Sequence, residues 1–145
     1  MGSVDAAKRP FWFMIVAVLA ILWGLAGVYA CYGDLTTTPA QLAKLPPAQA
    51  DALTAMPAAI RGAYAVATVG GLVGGVLLAA RRRWARAAFV VSLLGVIVEF
   101  GWTFGPYQGL AKLGPSAAAF PAFIAVVCIA EIWFAGFAQR LGWLT

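Results

Sequence analysis

The chain contains no histidine, only two cysteines, and charged side chains at 10% of its 145 residues. Each shortage removes a class of function. Without histidine there is no His-ligated haem, no His-bound chlorophyll-type pigment and no ordinary zinc site. Two cysteines cannot supply a thiolate cluster, and Cys31 and Cys128 sit at depths too different for a disulfide. No Cys-x-x-Cys is present, so quinone-linked thiol-redox chemistry has no nucleophile pair. There is no Ser-His-Asp set and no Walker loop. An enzyme would have to work with two glutamates, an arginine and tyrosines, so we read the chain as a non-enzyme needing no cofactor and no metal. The scarcity of charge, against about a quarter in ordinary soluble domains, argues against a soluble fold.

What the chain has instead is apolar residues, 63% of the total. They come as four long blocks, not short alternating runs, which predicts helices rather than a barrel. The expected fold is an all-α integral membrane protein, an antiparallel bundle of four transmembrane helices in one domain over 1–145. The spans fall at about 11–32, 58–80, 87–104 and 117–139, each near the roughly 20 residues that a crossing needs. Val28–Cys31 faintly resembles a lipoprotein cleavage box, but Tyr29 fits it poorly and the apolar run is too long for a signal peptide, so the first span is read as retained.

Arg81-Arg82-Arg83-Trp84-Ala85-Arg86, between the second and third spans, orients the chain. Short loops rich in Lys and Arg stay on the cytoplasmic side. Lys8, Arg9 and Arg140 fall on that side too, and Lys44, Arg61 and Lys112 on the other, so both termini are expected in the cytoplasm. The formal net charge of +5 then points to anionic lipid headgroups at Arg81, Arg82, Arg83 and Arg86, and not to nucleic acid. Trp12, Trp84, Trp102, Tyr107 and Trp143 lie near expected interfaces.

The polar stretch 33–57 should lie on the far side. Thr38-Pro39-Ala40-Gln41 has the form of a capping box with proline at the first helical position, predicting a short helix through about Leu45. Pro46-Pro47 breaks it, and a second short helix can run from Pro47 to Ala55. Together they would form a short amphipathic cap over the bundle mouth.

In the second span, Gly70-Gly71-Leu72-Val73-Gly74-Gly75 presents overlapping small-xxx-small patterns, a signal for close helix contact. Whether the neighbour belongs to the same chain or to a second copy is left open. The best functional leads are two glutamates inside spans. Glu99 stands about 20 Å from the level of Arg86, and Glu131 about 13 Å from that of Arg140, at 1.5 Å per residue. For Glu99 an ion pair with Arg61, about 9 Å away in depth, is favoured over a proton carrier. For Glu131 a hydrogen-bonded structural role and a place in a binding site stand level. Trp23, Trp102 and Trp133 could line a cavity. Tyr64, Tyr29, Ser92, Thr68, Thr103 and Gln108 could add hydrogen bonds, although Ser and Thr in such helices often bond their own backbone.

Leu22-Trp23-Gly24-x-x-Gly27, Pro57 before the second span, Gly70-Gly71-x-x-Gly74, Arg82-x-Trp84-Ala85, Ser92-Leu93 and Gly142-Trp143-Leu144 together resemble a family. It is that of the small four-helix bacterial inner-membrane proteins often labelled automatically as sugar transporters. The resemblance implies a multi-pass protein of the bacterial inner membrane and raises transport as a function. Two positions depart from that pattern: Gly24 stands where the family tends to have Asn, and Ala59 where it tends to have Trp.

Two functional readings follow. In the first, the chain binds or carries a small, partly apolar molecule in a cavity containing Glu131, Glu99, Arg61 and nearby aromatics (Trp23, Trp102, Trp133, Tyr64). A chain this short encloses little volume, so this reading expects a homodimer joined through Gly70, Gly71, Gly74 and Gly75. A sugar fits less well, because the spans offer few Asn, Gln or Asp side chains for hydroxyl groups. In the second, the chain is a non-catalytic accessory or structural subunit of a larger membrane complex.

Overall fold

The computed structural model describes residues 8–145. It is helical throughout, with no strand among the described residues. The helices are α1 (Phe11–Leu35), α2 (Pro39–Leu42), α3 (Pro47–Ala55), α4 (Ala58–Ala79), α5 (Ala85–Phe104), α6 (Gly109–Leu113) and α7 (Ala119–Arg140), and a 3-10 turn over Pro115–Ala118 leads into α7. Four of these, α1, α4, α5 and α7 with its leading turn, are long and apolar enough to cross a membrane.

Their ends follow from local chemistry. Pro10 and Pro57 hold extended backbone before α1 and α4, and their carbonyls accept the first helical N–H bonds, from Phe13 and Ile60, at 3.1 and 3.0 Å. At the other end of α1, the hydroxyls of Thr36 and Thr37 donate back to the carbonyls of Tyr32 and Gly33, at 2.6 and 2.7 Å. Orphan carbonyls are thereby satisfied, and the helix runs three residues past the expected Tyr32, taking Asp34 into its last turn. α5 starts at Ala85 instead of 87, so Arg86 belongs to its first turn, and α7 begins at 119 because Pro115 opens a 3-10 turn instead. α6 was not expected from the sequence; Gln108, at φ 58°, turns the chain into it.

Glycine decides how α1, α4 and α5 meet. A Cβ on Gly24 would stand 2.6 Å from the Leu72 Cα, and one on Gly75 2.9 Å from the Ile21 backbone nitrogen, so α1 and α4 touch backbone to backbone. The α4–α5 contact is built the same way: Gly70 lies on Ser92, Gly74 on the Phe89 ring, and Gly95 of α5 on Ala63 and Ala67. Gly71 faces the Ser92 hydroxyl. The glycine face of α4 is thus used up inside the chain. Gly70, Gly71 and Gly74 lie against α5 and Gly75 against α1, so the close contact the glycine run signals is made within the chain. No larger side chain could be seated at Gly24 without α1 and α4 moving apart.

The end of the molecule near Arg81–Arg86 is solid. Phe13, Ala17, Leu78, Phe89, Phe134 and Ala135 form its buried cluster, with Phe13 stacked on Phe134 at 5.9 Å between ring centres. Trp143 closes the cluster, edge-on to Phe13 at 5.7 Å and to Trp12 at 5.5 Å. It is only 6% exposed, so this tryptophan is a plug of the core and not the interfacial ring expected for it. Two helix ends place it there. After α7, Gly142 takes φ 72° and the Trp143 N–H donates to the Ala138 carbonyl at 2.9 Å. After α4, Arg81 takes φ 62° and the Arg82 N–H donates to Leu77 at 2.8 Å. Both are Schellman closures, the second with arginine where glycine is usual. The two turns are then bonded to one another, Arg83 N–H to the Thr145 carbonyl at 3.0 Å and Thr145 N–H to the Arg81 carbonyl at 2.7 Å. The Arg81 Nε donates to the Trp143 carbonyl at 3.0 Å. Of the four arginines expected to meet lipid headgroups, Arg81 is therefore engaged within the protein.

At the opposite end, Thr38 and Gln41 form the capping box read from the sequence, with Gln41 N–H donating to the Thr38 hydroxyl and Thr38 N–H to the Gln41 side chain, at 3.3 and 2.8 Å. The helix it starts is one turn long and stops at Leu42. α3 occupies the expected Pro47–Ala55.

Candidate functional site

Above the aromatic cluster the helices no longer fill the space between them. A cavity of about 380 Å³ lies among α1, α4, α5 and α7. Its position follows from side-chain size. Around Phe13–Ala20, large rings from α5 and α7 reach the centre, whereas the facing positions further along, Gly24, Gly27, Gly71 and Ala67, are too small to meet there.

Four of the sequence-derived candidates face this space: Trp23 from α1, Tyr64 from α4, Glu99 from α5 and Glu131 from α7. The two glutamates thus share one cavity. Glu99 is 8% exposed. Among the described residues its carboxyl makes no hydrogen bond and no ion pair, and only its backbone carbonyl is engaged, by Thr103 at 3.0 Å. No fully buried side-chain oxygen lacks a partner, so the Glu99 oxygens open onto the cavity. Glu131 is half-buried and likewise unbonded.

Three candidates lie elsewhere. Arg61 does not pair with Glu99. Its guanidinium donates to the carbonyls of Leu53 and Met56, at 3.0 and 3.1 Å. These are the unsatisfied acceptors at the end of α3, one turn away along the chain, and a cation there also suits the helix dipole. Trp102 stacks on Tyr107, centres 5.1 Å apart. Trp133 is 61% exposed and stacks on Phe137 at 5.5 Å, beside Arg86 and Arg140 on the outer surface of α7.

One cavity-lining carboxyl was not among the sequence candidates. Asp34 lines the cavity and accepts a hydrogen bond from the Tyr64 hydroxyl at 2.8 Å. The signal that could have found it is the pair Thr36-Thr37, whose hydroxyls are well suited to extending a helix backwards past a charge. Of the weaker candidates, Thr68 and Thr103 bond their own helices as expected, Ser92 donates across to the Ala67 carbonyl of α4, and Tyr29 points away, 82% exposed.

No family model, curated protein or solved structure matches the chain. The chemistry of the site therefore rests on its own residues. Three carboxyls, from Asp34, Glu99 and Glu131, open on the cavity, and no lysine or arginine lines it. Most of the remaining lining is apolar or aromatic, including Trp23, Phe100, Phe120 and Ile124, with the Tyr64, Thr68 and Ser92 hydroxyls and the Cys128 thiol among it. Trp23 meets Phe123 edge-on at 5.6 Å, bridging α1 and α7, while Ala26, Ala30 and Phe120 are both lining and exposed, so the cavity reaches the surface beside this bridge.

The loop side is tied down by Tyr107. Its hydroxyl donates to Asp51 of α3 at 2.7 Å, Trp102 covers one face, and the Lys112 ammonium stands 4.2 Å from the ring centre. Burial, with the hydrogen bond to Asp51 and its charge, pushes the Tyr107 hydroxyl up to about 12 from its ordinary 10.0.

Proposed function

We propose that the chain is a carrier for a small, partly apolar molecule, bound in the cavity that Glu99 and Glu131 both line. In this reading α1, α4, α5 and α7 form an antiparallel bundle across the bacterial inner membrane. The basic turn and both termini face the cytoplasm, and α2 and α3 lie as a cap beside the mouth. The observation that carries it is the shared cavity itself. Two carboxyls without partners are costly in an apolar protein, and a site that must hold and release a ligand is a physical reason to keep them so. At about 380 Å³ the space lies at the small end of pockets that take small molecules, roughly 300–1,000 Å³. The aromatic cluster lies between the cavity and the basic turn, and the exposed lining at Ala26, Ala30 and Phe120 lies between α1 and α7, which suits a carrier open on one side. The resemblance to proteins labelled as sugar transporters agrees with transport, though these walls suit an apolar body better than a polyol.

The test is thermal stability of the detergent-purified protein against sugars, amphipathic cations, fatty acids and lipids, with Glu131→Gln alongside. A ligand that binds the folded state raises the melting temperature by mass action. One class should stabilise the wild type, and Glu131→Gln should lose that response while remaining folded. If no class shifts the wild type and the protein instead co-purifies with a partner, the carrier reading fails and the accessory-subunit reading replaces it.

A further inference from the structure

We infer that the molecule this cavity takes is an amphipathic organic cation, a quaternary or protonated amine on an apolar or aromatic body. The inference rests on the carrier reading and names the class of its substrate.

The charges point one way. Asp34, Glu99 and Glu131 reach the cavity from three different helices, and the lining holds no cation to balance them. Arg61, the basic residue on α4 nearest in sequence to this lining, is turned away onto the Leu53 and Met56 carbonyls. Asp34 at least receives the Tyr64 hydroxyl, but Glu99 is more than nine-tenths buried and receives nothing among the described residues. Once ionised, a carboxyl so placed needs a positive partner, and removing water strengthens the attraction to one. An anion would be repelled by the ionised groups, and a neutral molecule could at most donate a hydrogen bond to Glu99 without balancing its charge.

The walls set the rest of the ligand. Trp23, Tyr64, Phe100 and Phe120 line the cavity among small and aliphatic residues, and the Thr68 and Ser92 hydroxyls beside them already donate to backbone carbonyls. Such rings attract a cation by their quadrupole, most strongly where water is excluded, and they pack against an apolar body. A bare metal ion fits poorly, because no three acidic, cysteine or histidine side chains among the described residues are grouped as a metal would need. A positive charge spread over a bulky head can meet carboxyls that stand apart; a small ion cannot. The exposed lining at Ala26, Ala30 and Phe120 gives such a molecule a way in beside the Trp23–Phe123 bridge.

The experiment is calorimetric titration of the full chain in detergent with benzyltrimethylammonium, its uncharged carbon isostere neopentylbenzene, a medium-chain fatty acid and a disaccharide. The cation should bind at least about tenfold tighter than the isostere, and Glu99→Gln should reduce its affinity by at least about tenfold, the equivalent of one lost charge pairing. The comparison of cation and isostere on the wild type needs no variant, so it stands even if Glu99→Gln folds poorly. Equal binding of cation and isostere, or preference for the fatty acid or the sugar, overturns the cation inference and leaves the carrier reading intact. If none of the four binds, both fall.

Discussion

Gly24→Ala adds one methyl group at the tightest backbone contact between α1 and α4. The new Cβ would stand 2.6 Å from the Leu72 Cα and 2.8 Å from its nitrogen, both main-chain atoms of a helix that cannot turn aside. Reaching an ordinary carbon–carbon separation of roughly 3.5 Å requires α1 to withdraw by about 1 Å. A gap of that size forfeits about a quarter to a half of each dispersion contact along the interface, and overpacking of this kind costs about 1–3 kcal/mol. The control is Gly101→Ala on α5, where a Cβ meets nothing within 4 Å and alanine gains about 0.5–1 kcal/mol of helix propensity. Denaturant titration in mixed micelles, followed by circular dichroism, should put Gly24→Ala clearly below the wild type and Gly101→Ala at or above it. If the two variants unfold together, α1 and α4 do not meet through glycine and the packing argument is wrong.

Two further variants probe the loop side. Because the Tyr107 hydroxyl titrates near 12 instead of 10.0 when folded, its stabilisation is complete below pH 10 and is lost as the pH rises through about 12. Ultraviolet titration of tyrosinate should lose its component near pH 12 in Tyr107→Phe, and the variant should be less stable at neutral pH by about 1–2 kcal/mol for a buried bond to a charged acceptor. Arg61→Gln should loosen α3, read as faster amide exchange over 47–56, by removing donors to Leu53 and Met56. It should leave ligand-induced stabilisation unchanged, since Arg61 does not face the cavity; a loss of ligand response equal to that of Glu131→Gln would contradict this.

The four long helices were legible because an apolar block of membrane length has few other uses, and the Thr38–Gln41 capping box because its chemistry is entirely local. The glycine run of α4 announced close contact correctly, yet not with whom, since a missing side chain carries no information about its neighbour. Which way a tryptophan faces was equally hidden. A helix that is apolar all round has no polar face to fix its rotation, so Trp23 lines the cavity while Trp133 lies outside. The Arg61–Glu99 pair looked sound on depth alone and failed because the carbonyls ending α3 are nearer along the chain and need donors. Asp34 escaped because charge was taken to end a helix that two threonines extend.

The same glycines bear on which parts of the bundle can shift. α4 meets α1 backbone to backbone at Gly24 and Gly75, and meets α5 through the Gly95 backbone, the Ser92 side chain and the Phe89 ring, so these contacts have little slack. α7 is held differently. It has the least buried span of the four, and it meets its neighbours through side chains, Phe123 on Trp23, Phe134 on Phe13 and Gly136 beneath the Arg86 guanidinium. Rings and guanidinium groups can swing where backbones cannot. α7 is therefore the helix whose central packing depends most on side-chain rotamers, while the turn after it stays bonded to Arg81 and Arg83. Glu131 stands on this helix, and Asp34 and Glu99 stand on α1 and α5.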